Sequence, residues 1–256
     1  MSRWLVLFFC TAPAFSQTPP KLPKLTWFGQ SFFLLETSAG TRIAFDPHAI
    51  DAFGRQTTKA DVVLMSHNHP DHVRLEVIEN RTKAKLIEGI KMVGGVEGGP
   101  PARAQWNPVD EKFKDVRIRS VGVYHDAVQG MQRGKNMIFL VEFDGMKLAH
   151  LGDLGHLLTD EQLRQIGPVD VLLIPVGGVY TINGDQAKKV IAQIKPTKYV
   201  LPMHYGTRMF DDLSPPDEFL EGQTHVKRTL ATNELTLDPA FKPAEPEIVV
   251  LGWRKD

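Results

Sequence analysis

Cysteine is almost missing from this chain: one residue in 256, Cys10, near the amino terminus. A single thiol allows no disulfide within the chain. Excess charge is missing too. Lys plus Arg and Asp plus Glu both count 30, for a formal net charge of zero. No basic stretch points to nucleic acid, and no charge block points to a disordered tail. A long apolar run is the third absence. Trp4 to Phe9 follows Arg3 but is too short to span a bilayer as a helix. With Ala14-Phe15-Ser16 behind it, the segment reads as a signal peptide over residues 1–16, cut before Gln17. That predicts a periplasmic or secreted protein. Phe9 is too bulky before Cys10 for a lipoprotein site, so no stable membrane anchor is expected. Residues 17–24 read as a Pro/Lys linker and 25–256 as the folded domain. A hydrophobic content of 42% is enough for a substantial core.

What the chain has instead is a concentration of metal-type ligands. Ser66-His67-Asn68-His69-Pro70-Asp71-His72 holds three histidines and an aspartate, directly after the apolar run Asp61 to Met65. That run reads as a buried strand. Asn68 and Pro70 end it, which leaves the four side chains on a loop at a strand's carboxyl end, the usual place for chemistry in α/β proteins. In extended chain, residues i and i+2 point the same way, so His67 and His69 can grip one ion. Asp71 and His72, beyond the proline bend, are placed to face a second. Imidazole with one carboxylate suits zinc, and also iron or manganese.

His-x-His-x-Asp-His resembles the hallmark of the metallo-β-lactamase superfamily of metal-dependent hydrolases. The resemblance implies an α/β (α+β) fold, the four-layer αββα sandwich, over nearly all of the chain from about Leu25. It also implies the rest of the site. His67, His69 and His125 would bind one ion, Asp71, His72 and His204 a second, and Asp153 would bridge them. His125, Asp153 and His204 each follow an expected strand, over Val116–Val123, Met146–Leu151 and Tyr199–Met203. Two divalent ions, most readily Zn2+, with Mn2+ or Fe2+ as alternatives, would bring a shared water's pKa from about 15.7 towards ~7. Asp71 would also orient that water or move its proton. Superfamily β-lactamases that ligate through cysteine carry it where Asp153 stands, which disfavours that activity here. Leu173-Ile174-Pro175-Val176-Gly177-Gly178 and Pro202-Met203-His204-Tyr205-Gly206-Thr207 look closest to the lactonase and N-acylphosphatidylethanolamine phospholipase D branch. An ester, lactone or phosphodiester is then the expected bond, in a small-molecule or lipid-like substrate. A metal carrier of the same fold is the alternative. A flavin-dependent redox enzyme is disfavoured, because the chain leaves no room for a flavin domain.

The remaining expectations come from local pattern. Tyr180, Tyr205 and Arg208 are candidate substrate contacts. Gly177 to Tyr180 is a loop whose amides could meet an anion. Asp46 is a candidate to orient a ligand histidine, and His48 reads as a solvated loop residue. His150 and His156 read as supporting residues. Val73 to Arg81 has helical apolar spacing. Gly89 to Pro101, with Gly94-Gly95, Gly98-Gly99 and Pro100-Pro101, is expected to form neither helix nor sheet and is a candidate lid.

Overall fold

A computed structural model describes residues 21–95 and 101–253. The signal-peptide reading therefore lies outside the described residues, as do residues 96–100 of the candidate lid.

The chain first lays down β1 (Lys24–Trp27), β2 (Phe33–Glu36), β3 (Arg42–Phe45), β4 (Val62–Met65) and β5 (Lys85–Glu88). A hairpin follows, β6 (Ile90–Val93) and β7 (Arg103–Trp106). Next come β8 (Asp110–Phe113), β9 (Val116–Tyr124), β10 (Lys135–Phe143) and β11 (Met146–His150). Helix α1 (Asp160–Ile166) leads to β12 (Val171–Pro175), and α2 (Gly184–Ile194) leads to β13 (Tyr199–Met203). The short α3 (Asp217–Leu220) precedes β14 (Val226–Thr229), β15 (Glu234–Thr236) and β16 (Glu247–Leu251). One sheet runs β15-β1-β2-β3-β4-β5 and the other β14-β16-β13-β12-β11-β10-β9-β8.

Strand period 2 explains the layers. Leu25, Trp27, Phe33, Leu35, Ile43, Phe45, Val62 and Leu64 point into one core shared with the second sheet. The residues between them, including Leu34, Ala44, Val63 and Met65, point to a second, smaller cluster on the outer face. The outer face of the second sheet carries the helices. Both α1 and α2 begin with capping boxes, Thr159 with Gln162 and Asn183 with Gln186.

Two local expectations are corrected. Residues 73–81 are not an α-helix but one 3-10 turn, Leu75–Val77. Backbone groups that a helix would use internally are taken elsewhere: Glu79 N–H goes to Thr58 O, and Val77 O accepts from Thr58 N–H. β-branched Val73, Val77 and Ile78 also disfavour the helix. The first sheet is thus covered by irregular chain that includes this turn, and the α-helices lie on the second. Gly89 to Pro101 is not free of sheet either. Ile90–Val93 pairs antiparallel with Arg103–Trp106, Ile90 opposite Trp106. The Gly-rich tip misled because the pairing residues flank it.

The topology sets where chemistry happens. β3, β4 and β5 are parallel, as are β11, β12, β13 and β16. β9 runs the same way as β11, since both are antiparallel to β10. The carboxyl ends of β9, β11 and β13 therefore share one edge, and β3 and β4 end beside them.

Candidate metal centre

Each strand end delivers one part of the site. β4 delivers His67 to His72, β9 His125, β11 the turn to Asp153, and β13 His204. The oxygen Asp153 Oδ2 is the meeting point. It lies 3.1 Å from His125 Nε2, 3.1 Å from His204 Nε2, 3.2 Å from His72 Nε2 and 3.7 Å from His67 Nε2. His67 Nε2 and His69 Nδ1 face each other at 3.0 Å. The ligand atoms of His67, His69 and His125 all lie within 4.8 Å of one another, and so do those of Asp71, His72 and His204. All seven residues expected from the sequence are brought together, in the two groups expected.

The turn that carries Asp153 needs Gly152. Its φ is +53°, and a Cβ there would sit 2.7 Å from Ser66 Cβ and collide with Asn136 Oδ1. Asn136 spans the turn: Oδ1 accepts from Asp153 N–H at 3.2 Å, and Nδ2 donates to Leu151 O at 2.8 Å.

Asp46 fixes the ring states. It is fully buried. Its Oδ1 accepts from Ser66 N–H at 2.6 Å, and its Oδ2 accepts from Ser66 Oγ at 2.6 Å and from His72 Nδ1 at 2.9 Å. Ser66 Oγ, having donated to Asp46, accepts from His67 Nδ1 at 2.9 Å. Both histidines then carry a proton on Nδ1, which turns Nε2 of each towards Asp153. Such partners fix tautomer and orientation at metal sites.

His48 is not the solvated residue expected. It is buried, donates from Nε2 to Gly29 O at 3.1 Å and accepts from Ile50 N–H at Nδ1. Burial lowers its pKa to about 4. Nothing in the loop Asp46-Pro47-His48 signals this, because the partner carbonyl comes from the β1–β2 turn. His150 is wired the same way, to Ser31 O and Gly152 N–H, and stacks on Phe45. His156 accepts from Tyr124 N–H and supports the end of β9.

Two further residues were missed. Gln30, in the β1–β2 turn, donates from Nε2 to Asp71 Oδ2 at 3.0 Å, while its Oε1 is buried without a partner. Asp126 is the second. After His125, its carboxylate accepts the backbone N–H groups of Val128, Gly130, Gln132 and Arg133. Burial opposes its ionisation, but these four bonds win and its pKa lies at about 2. Because that pKa is depressed, the stabilisation is present above the ordinary carboxylate pKa and is lost as pH falls towards 2. Asp126→Asn will lower stability by about 3 kcal/mol, the range of one or two bonds to a charged acceptor. Thermal unfolding at pH 7 and at pH 3 checks this: the gap between variant and parent narrows at the lower pH.

The candidate substrate contacts are spread out. Tyr180 is 47% exposed, with Arg133 over its ring at 5.4 Å. Tyr205 is buried against Trp27, ring centroids 5.4 Å apart, and Arg208 is exposed. The loop Gly177 to Tyr180 does not present a row of amides. Gly177 N–H binds His204 O, Gly178 N–H binds Ile182 O, and Tyr180 N–H turns back to Gly178 O.

The carboxylates and imidazoles of the cluster perturb one another strongly. Burial opposes charge on Asp153, yet the surrounding His204 and His72 hold its carboxyl well below the usual range. Burial likewise opposes a charged His72, but the Asp153 and Asp46 carboxylates raise it well above an ordinary histidine. Burial pushes His67 well below that value. Among the described residues, His72 Nε2 and Asp153 Oδ1 are buried without a hydrogen-bond partner. Buried orphans of this kind need an explanation. A donor set of five imidazoles and two carboxylates, four of the imidazoles facing Asp153 Oδ2, fits a pair of borderline divalent ions.

The profile of the β-lactamase superfamily domain matches residues 24–204. This chain belongs to the metallo-β-lactamase superfamily. Within the superfamily it is similar to a UPF0173 metal-dependent hydrolase of Thermococcus onnurineus, 31% identical over 195 residues, covering 72% of this chain and 85% of the relative. A UPF0173 protein of Pyrococcus furiosus is 31% identical over 199 residues, covering 77% and 88%. Among solved structures it is similar to a Thermotoga maritima protein assigned to the Zn-dependent hydrolases of the same superfamily. The TM-score is 0.65 at 35% identity, covering 90% of this chain and 98% of the other. The chain is therefore a metal-dependent hydrolase of the metallo-β-lactamase superfamily.

Proposed function

We propose that the chain hydrolyses an ester, lactone or phosphodiester with two divalent metal ions, zinc being the best match to its donor set. The observation that carries this is Asp153 Oδ2, shared by four imidazole nitrogens at 3.1–3.7 Å. One carboxylate between two ligand groups is what a two-ion centre needs. His67, His69 and His125 would hold one ion, Asp71, His72 and His204 the other, and Asp153 both. When bound, such a pair supplies an acidified water and a Lewis acid for the scissile bond.

The protein's own part is orientation and proton transfer. Asp46 and Ser66 lock His67 and His72 in the Nδ1–H form. Asp71, side chain 36% exposed, is the acidic group at the mouth. Burial works against its ionisation, but His72 and Gln30 hold it well below the usual range, so it is a carboxylate at neutral pH. Held by Gln30, it can accept a proton from the attacking water and pass it to the leaving oxygen.

The test is turnover of bis(p-nitrophenyl) phosphate, p-nitrophenyl esters and simple lactones by purified protein, with metal content measured before and after chelation. Turnover lost on chelation and restored by Zn2+ or Mn2+ is expected. Two bound ions without turnover of any of the three classes would favour the metal-carrier alternative. A second measurement checks the electrostatics. The Asp153 and Asp46 carboxylates favour the protonated form of His72, and a ligand imidazole must be neutral, so metal binding will release a proton. Metal affinity will rise with pH, and titration calorimetry in buffers of different ionisation heat will show the release.

A further inference from the structure

A cavity of about 710 Å³ opens beside the metal centre, and it takes up none of the seven ligand residues. Tyr205, Leu213, Leu230, Val250 and Trp253 form most of its apolar wall. It starts one residue past His204. His204 has φ +49°, and this turn sends consecutive rings apart. The His204 imidazole goes to Asp153, and the Tyr205 ring forms the inner wall of the cavity. The opposite wall is braced: Trp253 packs on Phe53 with ring centroids 5.8 Å apart, and Phe53 on Phe210 at 5.5 Å. Its wall carries one large apolar side chain open to solvent, Leu230 at 59% exposed. Among the described residues the charged lining cancels, with Arg208 and Arg228 against Asp211 and Asp217. Such a rim does not select a charged ligand.

A concave, mostly apolar site of this size is of the class that binds drug-sized molecules. It lies along the same sheet edge as the metal centre, and the two share the segment His204–Tyr205. We infer that the cavity binds a neutral apolar chain, acyl or aryl, and that this chain is one arm of the hydrolysed substrate. The inference rests on the hydrolase reading above for the word substrate, and on the cavity alone for the ligand class. It narrows the substrate from any ester to an amphipathic one.

Two measurements on the full chain test it. The first needs no turnover: binding of the neutral fluorescent probe N-phenyl-1-naphthylamine to chelated protein and to Leu230→Glu. Leu230 is exposed enough for the charge to leave the fold intact, which circular dichroism verifies. Saturable binding, weakened at least ~10-fold in Leu230→Glu, is expected. The second is kcat/KM for p-nitrophenyl esters from acetate to octanoate on metal-loaded protein. Each buried methylene is worth roughly fourfold, so octanoate should exceed acetate at least ~100-fold, and Leu230→Glu should flatten the series. No probe binding, equal binding by the variant, or a flat ester series in the parent protein would overturn the inference. If no ester is turned over while the probe binds and responds to Leu230→Glu, the ligand class is supported and the ester reading of the active site is what fails.

Discussion

Asp153→Ala will leave a folded protein with kcat/KM reduced at least ~10³-fold and less metal bound than in the parent. Losing a partner that merely orients a ligand typically costs 10–100-fold, and Asp153 is the group both ligand sets share. The fold will survive because the turn does not depend on the carboxylate. Asp153 N–H is held by Asn136 Oδ1, Gly152 N–H by His150 Nδ1 and Gly155 N–H by Tyr124 O. His69→Ala is expected to behave alike, since that ring is partly exposed and supports little else. Activity assays paired with elemental analysis decide it. Full turnover in either variant would remove the basis for the two-ion scheme.

Asp46→Ala will act on stability first and activity second. The substitution strands three buried donors, Ser66 N–H, Ser66 Oγ–H and His72 Nδ1–H. Removing one side of a buried, hydrogen-bonded charge cluster costs about 3–5 kcal/mol, which corresponds to a melting temperature lower by roughly 10 °C in a protein of this size. Measuring the melt on chelated protein separates this from metal loss. Ring orientation is lost too, so metal affinity will fall 10–100-fold. A chelated variant that melts with the parent would mean that Asp46 does not organise the β3 and β4 ends.

The sequence displayed the site's ligands more clearly than their supports. The apolar run before His67 and the dense His/Asp loop are local patterns, and strand period and strand ends carried them to the correct edge. Asp46 was legible for the same reason, a carboxylate ending a strand. His48, Gln30, Asn136 and Asp126 work through partners 15 or more residues away, or through backbone amides that no pattern marks. His48 looks solvated until Gly29 O is found beside it. Residues 73–81 have the right apolar spacing for a helix, but Thr58 claims backbone groups the helix would need, which no local rule reveals. The β6–β7 hairpin was hidden because its Gly-rich tip is more conspicuous than its paired flanks.

The seven proposed ligands are divided between the two sheets, four on the chain that leaves β4 and three on the ends of β9, β11 and β13. Neither half of the molecule owns a coordination sphere. Under the proposed two-ion scheme, complete ion capture would require the sheets to have closed on each other, and a bound ion would rivet that seam. A fragment ending before β9 would keep the most recognisable motif in the chain and still lack the carboxylate around which all the rings are arranged.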